Sequence, residues 1–260
     1  MKFLWAALYL AISAAPSFAA GDCVLDRCAD QAPGADQAPA QESSHGASSS
    51  YDSPRNDAPS YNARRGGGGA SAGRFDFYVL ALSWSPSFCA GGGATRSRAQ
   101  CASGANPGFV VHGLWPQYAY VYPSRCRGND FLPYSILSGL NGLYPDEGLA
   151  RHEWRQHGLC SGKPPLSYFA DVRAARDSVT IPQALKAPRD DKTLSPLDVQ
   201  RAFLDANPRL RPGMMAVTCR RGVLQEARIC LSRDLRDFVA CPQVARQSCA
   251  SQDLFVPAGR

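Results

Sequence analysis

His112-Gly113-Leu114-Trp115-Pro116-Gln117 and His152-Glu153-Trp154-Arg155-Gln156-His157-Gly158-Leu159-Cys160 are the stretches on which the reading of this chain turns. The sequence holds four histidines, and three of them fall in these two segments, each beside a tryptophan and a glycine. Two imidazoles and a carboxylate suit phosphoryl transfer from a ribose 2′-hydroxyl. One group takes the hydroxyl proton, another protonates the leaving 5′-oxygen, and a third stabilises the crowded phosphorane between them.

Working outward, Phe109-Val110-Val111-His112 reads as a strand that enters a bend at Gly113 and Pro116. Leu149 to Leu159 reads as a helix ending near the glycine of the second segment. On a helix each residue advances about 100°, so His152 and His157, five apart, diverge by about 140°. That spacing rules out the shared zinc that an H-E-x-x-H arrangement would hold. Glu153 and His157, four apart, do share a face, where a carboxylate either orients an imidazole and raises its pKa or acts directly on the substrate. Trp154 is read as packing beneath the site, and Trp84 as core.

Phe75 to Trp84, rich in aromatic and branched residues and stopped by Ser85-Pro86, reads as a buried strand. Met214 to Cys219 and Val223 to Leu231 read as a hairpin around Arg220-Arg221-Gly222. Tyr168 to Ser178 has apolar residues at helical spacing. Ser195-Pro196 supplies the cap and first position of a helix running to about Ala206. Strands and helices mix without a βαβ rhythm, so the fold class is α+β, a central antiparallel sheet with flanking helices in one disulfide-stabilised domain.

Residues 1–20 read as a secretory signal: Met1-Lys2 is basic, Phe3 to Ala15 is apolar, and Pro16 to Ala20 offers cleavage after Ala19 or Ala20. The apolar run is short for a membrane anchor. Ten cysteines agree with export and are most simply five disulfides. No pair has the C-x-x-C spacing of zinc sites, and no Asn-x-Ser/Thr acceptor occurs. Residues 21–73 turn to Ala, Ser, Gly and Pro and are expected to form a disordered linker. It contains His45, and Cys23 and Cys28 are near enough to close a small loop with each other. The folded part, 74–260, is of single-domain size. The first 73 residues hold five of the 28 basic and seven of the 22 acidic residues, which leaves about +8 on the rest. Such a balance suits a polyanion.

The pair HGLWPQ and HEWRQHGLC closely resembles the two active-site segments of the ribonuclease T2 family, secreted endoribonucleases with little base preference. The resemblance runs from about Phe75 to Cys249, and YVLALSWSPSFC is similar to the bacterial branch. It implies His112 and His157 as the acid–base pair, Glu153 as a stabiliser of the pentacoordinate intermediate, and His152 as a phosphate-holding residue. Trp115 matches the tryptophan on which a base stacks, a contact that tolerates every base because each has a π-face. Tyr118, Tyr120 and Tyr122 either widen that platform or cover the core.

Two departures matter. Many members have lysine where Gln156 stands. A glutamine there is expected to weaken transition-state stabilisation by about 1–3 kcal/mol while still binding substrate. Some members have aspartate in place of Gln117, so base preference does not carry over. The resemblance further implies the disulfides Cys126–Cys160, Cys219–Cys249 and Cys230–Cys241, with Cys89–Cys101 as the remaining pair.

The expectation is therefore a secreted or periplasmic, monomeric enzyme that needs no cofactor or metal and does not associate with membranes. It would cleave single-stranded RNA through a 2′,3′-cyclic phosphate. Two rivals stand beside it: a catalytically weak RNA-binding or toxin-like module on the same fold, encouraged by Gln156, and a secreted metallohydrolase.

Overall fold

A near-continuous apolar run rich in aromatic and branched residues makes Phe77–Trp84 the first strand, β1, and nearly all of it is buried. The computed structural model describes residues 71–102, 108–119, 122–186 and 188–259, all within a unit running from Ala63 to Arg260. The expected signal, the linker up to residue 70, Cys23, Cys28, His45 and Tyr120 lie outside the described residues. Gly73 is already tied to the domain. Its N–H donates to the Cys160 carbonyl, and its own carbonyl accepts from Arg233.

The second strand, β2 (Phe109–Gln117), runs antiparallel to β1. It does not stop at the expected bend but continues through Gly113 and Pro116. Proline is tolerated because β2 is the sheet's edge and no further strand needs its missing N–H. On the other side of β1 lies β5 (Val223–Ser232), also antiparallel. It is joined to β4 (Met215–Arg220) by the expected hairpin. Arg221 and Gly222 both have positive φ, 52° and 75°, the backbone that a two-residue hairpin turn requires. Two short strands, β3 (Lys192–Leu194) and β6 (Leu254–Val256), pair with each other, and β6 meets the start of β5 in one parallel pairing. The sheet is thus antiparallel apart from that pairing.

Among the described residues six α-helices flank it: α1 (Ser85–Ala90), α2 (Tyr134–Ser138), α3 (Glu147–Gln156), α4 (Pro165–Asp177), α5 (Pro196–Ala206) and α6 (Pro242–Ala245). Ser195 caps α5 as expected, in a reciprocal arrangement with Asp198. α3 starts at the Asp146 cap and ends at Gln156, three residues short of the expected limit, because His157 leaves helical geometry and a 3₁₀ turn follows.

One sheet face carries the main core, with Tyr78, Leu80, Leu82 and Trp84 meeting Phe203 and Tyr168. Trp154 joins this core, with its ring 5.7 Å from that of Tyr168, so the packing role expected for it holds. Gly158 makes room, since a Cβ there would fall 2.3 Å from the Trp154 ring. The opposite face holds a smaller cluster around Phe77, Val79, Cys230 and Val244. The disulfides Cys89–Cys101, Cys126–Cys160, Cys219–Cys249 and Cys230–Cys241 are the four expected. No helix among the described residues is long and apolar enough to cross a membrane.

Candidate active site

Position 112 is where the β1–β2 ladder breaks. Ala81 faces Gly113 and Leu82 faces Val111, so His112 is the extra residue of a β-bulge. A bulge bends its strand and re-aims a side chain. Val111 turns into the main core, while His112 reaches the charged groups of the other face. Its Nδ1 lies 2.6 Å from Glu226 Oε1 on β5, and its Nε2 lies 3.6 Å from Glu153 Oε1 on α3.

Glu153 is fully buried. Its Oε2 accepts from the Trp115 indole N–H at 2.8 Å. The carboxylate fits only because residue 113 lacks a side chain. A Cβ there would lie 1.9 Å from Glu153 Oε2 and 2.5 Å from Trp115 Nε1. Both sequence segments are therefore interlocked, the glycine of the first making the seat for the glutamate of the second.

His157 caps α3, its N–H donating to the Glu153 carbonyl at 2.9 Å. The imidazoles of His157 and His112 each have their centroid 5.3 Å from the Trp115 ring. One indole thus gathers both histidines and the glutamate. His152, half-buried, lies on α3 beside Glu153. Gln156 turns elsewhere: its Oε1 accepts from Arg125 Nε at 3.1 Å, in a groove that it lines with Arg125, Arg127 and Arg155. Tyr144, behind Glu153, keeps its hydroxyl proton, pushed well up first by burial and then by the Glu153 charge.

Sequence reading missed the support behind His112. Glu226 is buried and accepts from Ser83 Oγ at 3.2 Å and from Arg228 Nε at 2.8 Å. Burial alone would raise its carboxyl. The Arg228 guanidinium, then His112 and the hydrogen bonds from both, more than offset that and hold it well below the usual carboxylate range. Arg228 also lies over the Trp115 ring, 5.2 Å from its centroid. The available signal was Glu226-x-Arg228, opposite charges at alternate positions of a mostly apolar strand. Among the described residues, no group of three or more His, Cys, Asp or Glu side chains is arranged to hold a metal ion.

Comparison with known proteins places this arrangement. The sequence profile of the Ribonuclease T2 family matches residues 75–241. A ribonuclease of Aeromonas hydrophila is 36% identical over 194 residues, covering 71% of this chain and 86% of that protein. Ribonuclease DdI of Dictyostelium discoideum is 27% identical over 202 residues, covering 70% and 85%. Among solved structures, an RNase-related protein from Calystegia sepium superposes with a TM-score of 0.59 at 20% identity, covering 72% of this chain and 99% of that one. RNase NT in complex with 5′-AMP superposes with a TM-score of 0.56 at 21% identity, covering 71% and 99%. At these identities the superpositions speak for the fold. The profile match and the Aeromonas relative speak for descent: the chain belongs to the ribonuclease T2 family of endoribonucleases.

Proposed function

We propose that this protein cleaves single-stranded RNA, with little base preference, by transesterification through the 2′-hydroxyl. His157 takes the 2′-proton, the 2′-oxygen bonds to phosphorus, and His112 protonates the departing 5′-oxygen. The product is a 2′,3′-cyclic phosphate. Water then opens it to a 3′-phosphate with the histidine roles exchanged.

The observation that carries this reading is the clustering of His112, Glu153 and His157 around Trp115. His112 has a carboxylate near each ring nitrogen, an environment that suits an imidazolium and hence the acid of the first step. Glu153 holds the Trp115 N–H and the His112 ring at the wall where phosphorane charge develops, and His152 steadies the phosphate. Trp115 offers the base a stacking surface. The four disulfides and the N-terminal apolar segment support action outside the cytoplasm.

The test uses the purified chain on RNA and on DNA, with chelator present, and identifies products by ³¹P NMR. Cyclic phosphate from RNA alone supports the proposal. Loss of cleavage in chelator favours the metallohydrolase. Binding of RNA without cleavage favours the RNA-binding module. His112→Ala and His157→Ala, each shown to be folded by circular dichroism, should lose about 10²- to 10⁴-fold in kcat.

A further inference from the structure

At the end of α3, where Gln156 directly precedes His157 in the chain, lies a groove of about 350 Å³ whose walls include Arg125, Arg127, Arg155, Gln156 and Leu159. Its charge is three guanidiniums against the single carboxylate of Asp130. Arg125 is held in place twice over: its backbone N–H donates to the Gln156 carbonyl at 2.9 Å, and its Nε donates to Gln156 Oε1 at 3.1 Å. It does so from a left-handed backbone, φ 49°. A non-glycine residue persists there only when its surroundings impose it.

The chain leaving this groove is Asp130-Phe131-Leu132-Pro133-Tyr134. Leu132 is buried, but Phe131 and Tyr134 on either side are 67% and 74% exposed. The loop is anchored to the catalytic helix. Trp154 Nε1 donates to the Asn129 carbonyl at 3.3 Å, Arg151 donates to the Leu132 carbonyl at 3.3 Å, and Cys126 is bonded to Cys160. An anchored loop that keeps two aromatic rings in water, beside a cationic groove, has the two elements by which single strands are gripped. Arginines track the backbone, and rings stack on bases. Helix-end neutralisation accounts for Arg155 alone. It accounts for neither the exposed rings nor the posture of Arg125.

We infer that the Arg125–Arg127–Arg155 groove and the exposed rings of Phe131 and Tyr134 form an extended subsite for single-stranded RNA. It binds phosphates and bases beyond the dinucleotide that is cut. The inference deepens the proposed function and rests on it for the identity of the strand. Its consequence is length dependence: a hexanucleotide reaches the groove and a dinucleotide does not.

The experiment compares kcat/KM on uridine hexanucleotide and on the uridine dinucleotide for the full chain and for Arg127→Ala, Phe131→Ala and Tyr134→Ala. Each variant should lose about tenfold on the hexanucleotide, the scale of one stacking contact or one phosphate contact, with dinucleotide turnover unchanged. For Arg127→Ala the slope of log kcat/KM against log salt should also fall by about 0.7, whereas the aromatic variants should leave it alone. Equal effects on both substrates, or none on the hexanucleotide, would overturn the subsite. Anisotropy of a labelled deoxyuridine hexanucleotide, which has no 2′-nucleophile, reads the same groove without catalysis. Weaker binding by the variants upholds the subsite even if the proposed reaction fails, and unchanged binding refutes it.

Discussion

Glu226 Oε1 approaches His112 Nδ1 to 2.6 Å from a strand that is not its neighbour in the sheet. β1 lies between them, and the Ser83 hydroxyl of that strand bonds the same carboxylate oxygen. The contact orients the imidazole so that Nε2 is turned toward Glu153.

Glu226→Gln keeps the shape and removes the charge. We expect kcat to fall by up to about 10⁴-fold, the scale seen when the orienting carboxylate of a catalytic histidine is neutralised, with KM little changed. Rapid-quench measurement of the chemical step would check this, and a wild-type rate in the variant would remove Glu226 from the catalytic account.

The same carboxylate makes folding sensitive to acid. Its value in the folded protein is depressed below its ordinary 4.5, so it contributes stability that is fully present above that pH. That stability is lost as pH falls from about 4.5 toward the lower folded value. Urea midpoints of the parent protein should therefore decline below pH 4.5 more steeply than those of Glu226→Gln. Parallel declines would contradict the linkage.

Gly113→Ala should damage both folding and chemistry, because the added methyl group occupies the seat of the Glu153 carboxylate. Overpacking of this kind costs about 1–3 kcal/mol. Thermal unfolding would report the first effect and RNA turnover the second. A fully active, equally stable Gly113→Ala protein would mean that Glu153 sits elsewhere in solution.

The Cys126–Cys160 disulfide closes a 34-residue span between the loop after β2 and the 3₁₀ turn that follows α3. Cys126→Ser with Cys160→Ser should lower the unfolding free energy by about 4 kcal/mol through the larger entropy of the open chain. The readout is chemical denaturation of both proteins side by side.

Since many family members have lysine where Gln156 stands, Gln156→Lys should raise turnover by restoring a cation. The structure adds a condition, since the new ammonium would sit where Arg125 now bonds. A severalfold rise in kcat is expected when Arg125→Ala accompanies it, and a smaller one in the single variant. Identical gains in the two backgrounds would show that the guanidinium does not oppose the lysine.

Much of this was legible in the chain. The buried β1 strand, the Arg221–Gly222 hairpin and the Ser195 cap all follow from local chemistry, and the structure reproduces them. The two histidine segments were joined by resemblance, and the Trp115 indole joins them in space. The extent of β2 was not legible, because whether Pro116 breaks a strand depends on whether that strand is an edge. Glu226 escaped for a similar reason. In sequence a Glu-x-Arg pair in a strand reads as a solvated face, and only the placement of β5 between β1 and β4 buries it. Pairing partners are properties of the whole chain, and no local window contains them.

The bulged residue of β2 carries a cost that natural selection must keep meeting. Deleting one residue between Leu82's partner Val111 and Ala81's partner Gly113 would let the two strands zip flush. The shortened protein would gain regular hydrogen bonding and lose His112, the proton donor of the proposed mechanism. Any search for stabler variants that rewards regularity alone will drift toward such inert forms. Screens on this scaffold should therefore score turnover alongside melting temperature.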